Sequence, residues 1–137
     1  MDEFAAELVR DWMTRAGHDL RSARILSAAD DPLLDIAIYQ CQQAAEKSIK
    51  AWLQGRDEPF RKTHDVASLV TQASDANPDF AQLDTAAAAV TPYATAFRYP
   101  GGSYEPMPTR IEFDEALQHA QAIYDFVANL LPAEARP

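Results

Sequence analysis

Polar and charged side chains recur at helical spacing in the segment that follows Pro32. Four of them stand at i, i+3, i+4 and i+7, namely Gln43, Glu46, Lys47 and Lys50. Side chains at this spacing share one face of a helix, and Glu46 precedes Lys50 in the order that favours an ion pair. One interpretation is a solvated face with a single weak pair. The other is a cationic rim on which Lys47 and Lys50 face a phosphate-bearing ligand or an acidic partner.

A histidine and an aspartate, His64 and Asp65, stand where a third helix should begin, with Thr63 as its N-cap. The free N–H groups and positive dipole at a helix start suit anions. Histidine side chains ordinarily titrate near neutrality, so this residue type could act as acid, base or hydrogen-bond donor to phosphate. The alternative is structural, with Asp65 simply satisfying the helix dipole.

A third candidate is the tripeptide Arg98-Tyr99-Pro100, which opens a loop rich in proline and glycine. Arginine presents a planar fork that grips phosphate or carboxylate through two hydrogen bonds. Tyr99 could stack on a base, and Pro100 would fix the turn that aims both side chains. The alternative is that Arg98 ties the loop to a carboxylate on a helix.

Other kinds of chemistry find little support in the sequence. Cys41 falls within an apolar stripe, as expected of a small buried side chain rather than a nucleophile. Glu115 and His119 share a helix face, but no second Glu-x-x-His motif accompanies them, so we expect no metal site. No glycine-rich phosphate loop occurs either, and we expect no cofactor.

Apolar residues recur at three- and four-residue steps nearly throughout the sequence. This periodicity predicts five helices, which would position the candidate site residues. The first covers about residues 2–29, with Phe4, Leu8 and Trp12 facing inward. The second covers about 32–54, with Asp31 as N-cap and Pro32 at its first position. A short third helix follows Thr63.

The fourth helix starts near Asp79, and Pro92 should end or kink it. The last helix opens on a capping box, Thr109 with Glu112. We therefore predict an all-α, antiparallel up-and-down bundle of four to five helices over residues 1–131, followed by a frayed C-terminal tail, 132–137. The loop at 98–108 is long for such a bundle, as functional loops often are.

Composition narrows the classes of function. The 137 residues carry a net charge of −9, which opposes a non-specific nucleic-acid coat. The chain begins Met1-Asp2-Glu3, unlike a basic signal peptide, and no apolar run approaches the ~18 residues of a membrane helix. With only one cysteine, the expectation is a cytoplasmic protein without a membrane role.

Three motifs together carry a family likeness. The segment 42–51, Gln-Gln-Ala-Ala-Glu-Lys-Ser-Ile-Lys-Ala, then Thr63-His64-Asp65, then Arg98-Tyr99-Pro100, in this order and spacing, resemble the HEPN family. The resemblance implies a helical bundle, commonly a homodimer, associated with nucleotides and often with a separate minimal nucleotidyltransferase in a toxin–antitoxin-like pair. Many relatives are metal-independent RNases marked by Arg, four to six residues, then His. That hallmark is missing here.

Three functional hypotheses follow from the residues and the resemblance. In the first, a binding module presents a set of side chains to a nucleotide or a nucleotidyltransferase partner: Lys47, Lys50, His64, Asp65, Arg98 and Tyr99. In the second, which the missing hallmark disfavours, His64 and Arg98 are the catalytic residues of an RNase acting on RNA. The third is a structural dimerisation module. The first two predict that His64 and Arg98 meet in one cationic pocket.

Overall fold

The computed structural model describes residues 1–60, 62–102 and 106–137. Its α-helices are α1 (Glu3–Ser27), α2 (Leu34–Gly55), α3 (Val66–Ala76), α4 (Asp84–Val90) and α5 (Arg110–Leu130). Shorter 3₁₀ segments cover Pro78–Leu83, Thr91–Ala94 and Ala133–Ala135. No strand occurs in the described ranges. The predicted all-α bundle is confirmed, and none of its described helices is long and apolar enough to cross a membrane.

The long helices α1 and α2 form an antiparallel pair. The N–H of Leu33 donates to the carbonyl of Leu26 at one end, and Gly55 lies against Val9 at the other. Helices α5, α3 and α4 pack against this pair, and α2 contacts all of them. Because α2 packs against every other α-helix, the side chains that project from it have well-defined positions.

Local capping explains where most helices begin. The Asp2 carboxylate accepts from the N–H of Ala5, and the predicted capping box between Thr109 and Glu112 is present in both directions. Two predicted starts are wrong. Helix α2 begins at Leu34 rather than Pro32, without a side-chain cap. Helix α3 is capped by Asp65 rather than Thr63.

The predicted fourth helix is divided. Pro78–Leu83 forms a 3₁₀ turn capped by Asn77, and α4 follows it from Asp84. The α-helix ends at Val90, and Pro92 lies in the next 3₁₀ segment, as the fixed backbone of proline requires. This 3₁₀ segment, Thr91–Ala94, leads into the connection that contains Arg98.

The core agrees with the predicted periodicity everywhere except at the start of α1. There Phe4 is 77% exposed, and the buried side chains are Ala6, Val9 and Met13. In the core, the fully buried ring of Phe80 contacts two neighbours, with centroids 4.5 Å from Trp52 and 5.0 Å from Phe126. These aromatic contacts fix the Pro78–Leu83 segment against α2 and α5.

The C-terminal residues were expected to fray, and that expectation is wrong. Ala133–Ala135 forms a 3₁₀ turn, and Ala135 is completely buried. The Arg10 guanidinium donates to the carbonyl of Glu134, and the Arg136 guanidinium donates to that of Leu131 at 2.9 Å. The end of the chain therefore packs against α1.

Candidate functional site

A buried carboxylate on α2, Glu46, gathers three donors. Its Oε2 accepts from Lys50 Nζ at 3.0 Å, and its Oε1 lies 2.9 Å from His64 Nδ1 and 3.1 Å from Gln42 Nε2. Burial raises the pKa of Glu46, but the hydrogen bonds from these donors outweigh it, so the pKa lies below its usual value. Glu46 is therefore an anion at neutral pH. We call these four residues the Glu46 cluster.

Gln42 joins the cluster to the chain that precedes α3. It is fully buried, and its Nε2 also donates to the backbone carbonyl of His64 at 2.8 Å. Its own Oε1 accepts from Gln43 Nε2 at 2.7 Å. His64 is thus held through both its ring and its backbone, while its side chain stays 74% exposed.

The expected cationic rim is not formed, because both lysines are paired with carboxylates. Lys50 is only 8% exposed and serves Glu46. Lys47 turns towards α1, where its Nζ lies 2.7 Å from Asp19. Burial raises the pKa of Asp19, and its contact with Lys47 only partly opposes that rise. The alternative of a solvated surface pair is also wrong, because Glu46 and Lys50 are buried.

The beginning of α3 is occupied by its own cap. The Asp65 carboxylate accepts from the N–H of Ser68 at 3.2 Å, and Thr63 Oγ1 accepts from the N–H of Asp65. Asp65 therefore satisfies the helix end, as the structural alternative held, and His64 lies just outside the helix. An anion would compete with the Asp65 carboxylate for this helix end.

Arg98 is placed by an aromatic ring of α2. Its guanidinium carbon lies 3.9 Å from the ring centroid of Tyr39 and 5.5 Å from that of Tyr99. One guanidinium nitrogen donates to the carbonyl of Ala94 at 3.1 Å. Within the ranges described, Arg98 pairs with no carboxylate, so the expected tie to a helix carboxylate is not seen there. Tyr39, Arg98 and the exposed Tyr99 form the Arg98 cluster.

The two clusters lie along one stripe of α2. Tyr39, which carries Arg98, and Glu46, which carries His64, are seven residues apart, about two helical turns. Their attachment points are therefore separated by about 10 Å along the axis, with Gln43 between them. His64 and Arg98 therefore contact side chains two turns apart on α2, whereas the sequence predicted that the two residues meet in one cationic pocket.

Sequence reasoning missed Tyr39 and Gln42 as site residues. A signal was available, because Tyr39, Gln42, Gln43 and Glu46 repeat the i, i+3, i+4, i+7 spacing. The prediction for Cys41 is confirmed, since the side chain is completely buried and burial raises its thiol pKa to about 12. Across the described residues no three His, Cys, Asp or Glu side chains are grouped to hold a metal.

Comparison with known proteins adds a family and two solved structures. A family model described as the HEPN domain matches residues 9–130. The chain is similar to the crystal structure of ST0689, an archaeal HEPN homologue, at 28% identity and a TM-score of 0.72, over 89% of this chain and 96% of that one. It is also similar to the crystal structure of TT1696 from Thermus thermophilus, at 31% identity and 0.74, over 90% and 98%. No curated protein matches the sequence.

The opposite pKa directions of Glu46 and Asp19 predict opposite effects on acid stability. A lowered pKa contributes stability above the ordinary value of about 4.3, and this is lost as pH falls through the folded value. A carboxyl whose pKa is raised stabilises the folded protein at low pH instead, and this contribution is lost as pH rises. We expect Glu46→Gln to flatten the fall in urea-unfolding free energy between about pH 6 and 3, and Asp19→Asn to steepen it. Parallel curves for both variants and wild type would contradict the assignment.

Proposed function

Because this chain belongs to the HEPN family, we propose that it is a cytoplasmic binding module that receives a nucleotide on the face of α2 between the Arg98 and Glu46 clusters. The observation that carries the proposal is the placement of Arg98. Its guanidinium lies over Tyr39 in an exposed position, without a carboxylate among the described residues. An unpaired, oriented arginine is a ready phosphate ligand.

The geometry of the Arg98 cluster suits a planar, bidentate hydrogen-bonded contact with phosphate. A guanidinium held over the ring of Tyr39 is already positioned before phosphate binds, so little rotamer freedom is lost on binding. Tyr99 is 68% exposed beside it, and its hydroxyl can donate a further hydrogen bond to a phosphate.

Charge balance favours a small ligand over a long nucleic acid. Lys47 and Lys50 are neutralised by their partners, and the whole chain is strongly acidic. A polyanion would meet repulsion beyond the site, whereas a single nucleotide contacts only the local cation. We further propose that the nucleotide is shared with a minimal nucleotidyltransferase partner, as in the toxin–antitoxin-like pairs that the family resemblance implies.

Isothermal titration of the purified protein with ATP and GTP tests the binding function. We expect Arg98→Ala to weaken binding about 10- to 100-fold, the value of a hydrogen bond to a charged group. Arg98→Lys should recover only part of the loss, because an ammonium cannot form the planar fork. Arg15→Ala, at an exposed position of α1, is the matched control and should bind as wild type. No heat of binding with wild-type protein would refute the proposal.

A second candidate function, the metal-independent RNase, is favoured by the His64–Glu46 contact. A buried carboxylate against Nδ1 orients the imidazole and leaves Nε2 facing outwards, an arrangement that general bases use. In this function His64 would move the proton and Arg98 would stabilise the charge on phosphorus. The absent Arg-x4-6-His hallmark places this candidate second.

Incubation with single-stranded RNA in the presence of a chelator tests the RNase function. Under it, wild type cleaves, His64→Ala and Arg98→Ala each slow cleavage at least about 100-fold, and His18→Ala, an exposed histidine on α1, leaves the rate unchanged. Cleavage that persists in both His64→Ala and Arg98→Ala would assign it to a contaminant or to other residues.

We also propose that the domain forms a homodimer through one end of the bundle, which would serve a binding or a purely structural role. Four large apolar side chains there are 45–71% exposed: Ile25, Leu33, Ile36 and Ile111. They lie where α1 ends and where α2 and α5 begin, an end closed by the hydrogen bond from Arg110 to the carbonyl of Ser27. Clustered apolar exposure of this kind marks interfaces.

Light scattering measures the mass of the assembly directly. We expect a dimer for wild type and a monomer for Ile36→Asp, because a charge cannot be buried in an apolar contact without a partner. Phe4→Asp places the same charge on the most exposed apolar side chain at the opposite end and should leave the dimer intact. A wild-type monomer, or equal loss in both variants, would refute this interface.

A further inference from the structure

The contacts of His64 determine which of its ring nitrogens carries the proton. Nδ1 lies 2.9 Å from Glu46 Oε1, and an ionised carboxylate can only accept hydrogen bonds. A neutral imidazole at this position must therefore be protonated on Nδ1 and unprotonated on Nε2. The side chain is 74% exposed, so the free lone pair of Nε2 faces the surface.

Two surrounding residues make this arrangement stable through three hydrogen bonds. Lys50 and Gln42 donate to the carboxylate and favour its ionised form. Gln42 also holds the carbonyl of His64 at 2.8 Å. The imidazole therefore has a fixed tautomer, and the backbone that carries it is held in place by Gln42, which is fully buried.

We propose that Glu46 and Gln42 are positioning residues that dedicate Nε2 of His64 to accepting a hydrogen bond from a sugar hydroxyl of the ligand. The proposal rests on the nucleotide-binding function, and it predicts which end of the nucleotide lies at each cluster. The ribose lies at the Glu46 cluster, since a neutral Nε2 accepts from a hydroxyl and has no proton to give a phosphate. The phosphates lie at the Arg98 cluster.

The spacing of the clusters adds a preference for ligand length. The attachment points on α2 are about 10 Å apart along the axis. In a nucleoside monophosphate the phosphate is joined directly to the sugar, so this ligand spans less of the distance between the two clusters. A nucleoside triphosphate carries its terminal phosphate further from the ribose hydroxyls. ATP should therefore bind more tightly than AMP.

Nitrogen-15 NMR of the free protein tests the tautomer without any ligand. At a pH where an ordinary histidine is neutral, we expect His64 in wild type to be protonated on Nδ1 alone, with His18 and His119 as internal references. Wild-type protein with the proton on Nε2 overturns the proposal, and this measurement needs no variant that could fail to fold.

The substitution Glu46→Gln sharpens the same experiment. Lys50 is charged and can only donate, so it should take the new amide oxygen in preference to the neutral Gln42 and leave the amide NH2 group facing Nδ1 of His64. Nδ1 must then accept, and the proton moves to Nε2. We expect the tautomer to invert in this variant and to stay unchanged in Arg98→Ala. An unchanged tautomer in folded Glu46→Gln protein would remove Glu46 as the positioning residue.

Titration with ATP and with 2′,3′-dideoxy-ATP tests the direction of the ligand. Wild type should favour ATP about fivefold, the value of one neutral hydrogen bond, and His64→Ala and Glu46→Gln should lose that preference. Arg98→Ala should weaken both ligands by the same factor. Binding of both without a sugar preference overturns the ribose assignment alone, whereas binding of neither overturns the nucleotide function along with it.

Discussion

The ionised carboxylate of Glu46, buried on α2, is the constraint on which the site is built. A buried anion is costly unless donors surround it. Lys50 and Gln42 come from the same helix, one turn on either side, but the third donor comes from His64, beyond the end of α2. The charge therefore fixes the position of the segment that leads into α3. Because Lys50 is committed to this anion, the proposed site depends on Arg98, whose guanidinium rests on an aromatic ring and has no carboxylate partner among the described residues.

Much of the fold could be predicted because it follows from local patterns. The stripes of α2 and α3, the capping box at Thr109 and the break at Pro92 need only neighbouring residues. The buried face at the start of α1 was misplaced because Phe4 fits the apolar stripe as well as Val9 does. A tertiary contact, that of Val9 with Gly55 at the end of α2, shows which of the two is buried.

The site was less predictable because its contacts join distant parts of the sequence. The residue types at 46, 47, 50, 64 and 98 drew attention to the segments that form the two clusters, but spacing along one helix cannot show that Lys47 turns to Asp19 on α1. Nor can it show that Gln42 reaches the carbonyl of His64, 22 positions away. Pairing across helices decides which charges are free, and pairing depends on tertiary structure.

Both ends of the site depend on one rigid helix. His64 and Arg98 belong to separate connections, yet each is oriented by a side chain of α2 two turns from the other. Their separation is therefore set by helix geometry rather than by the loops, provided that the inward face of α2, with Ile38, Cys41 and Ala45, stays packed. A substitution in that face should disturb both clusters together, whereas a change in either loop should disturb only one.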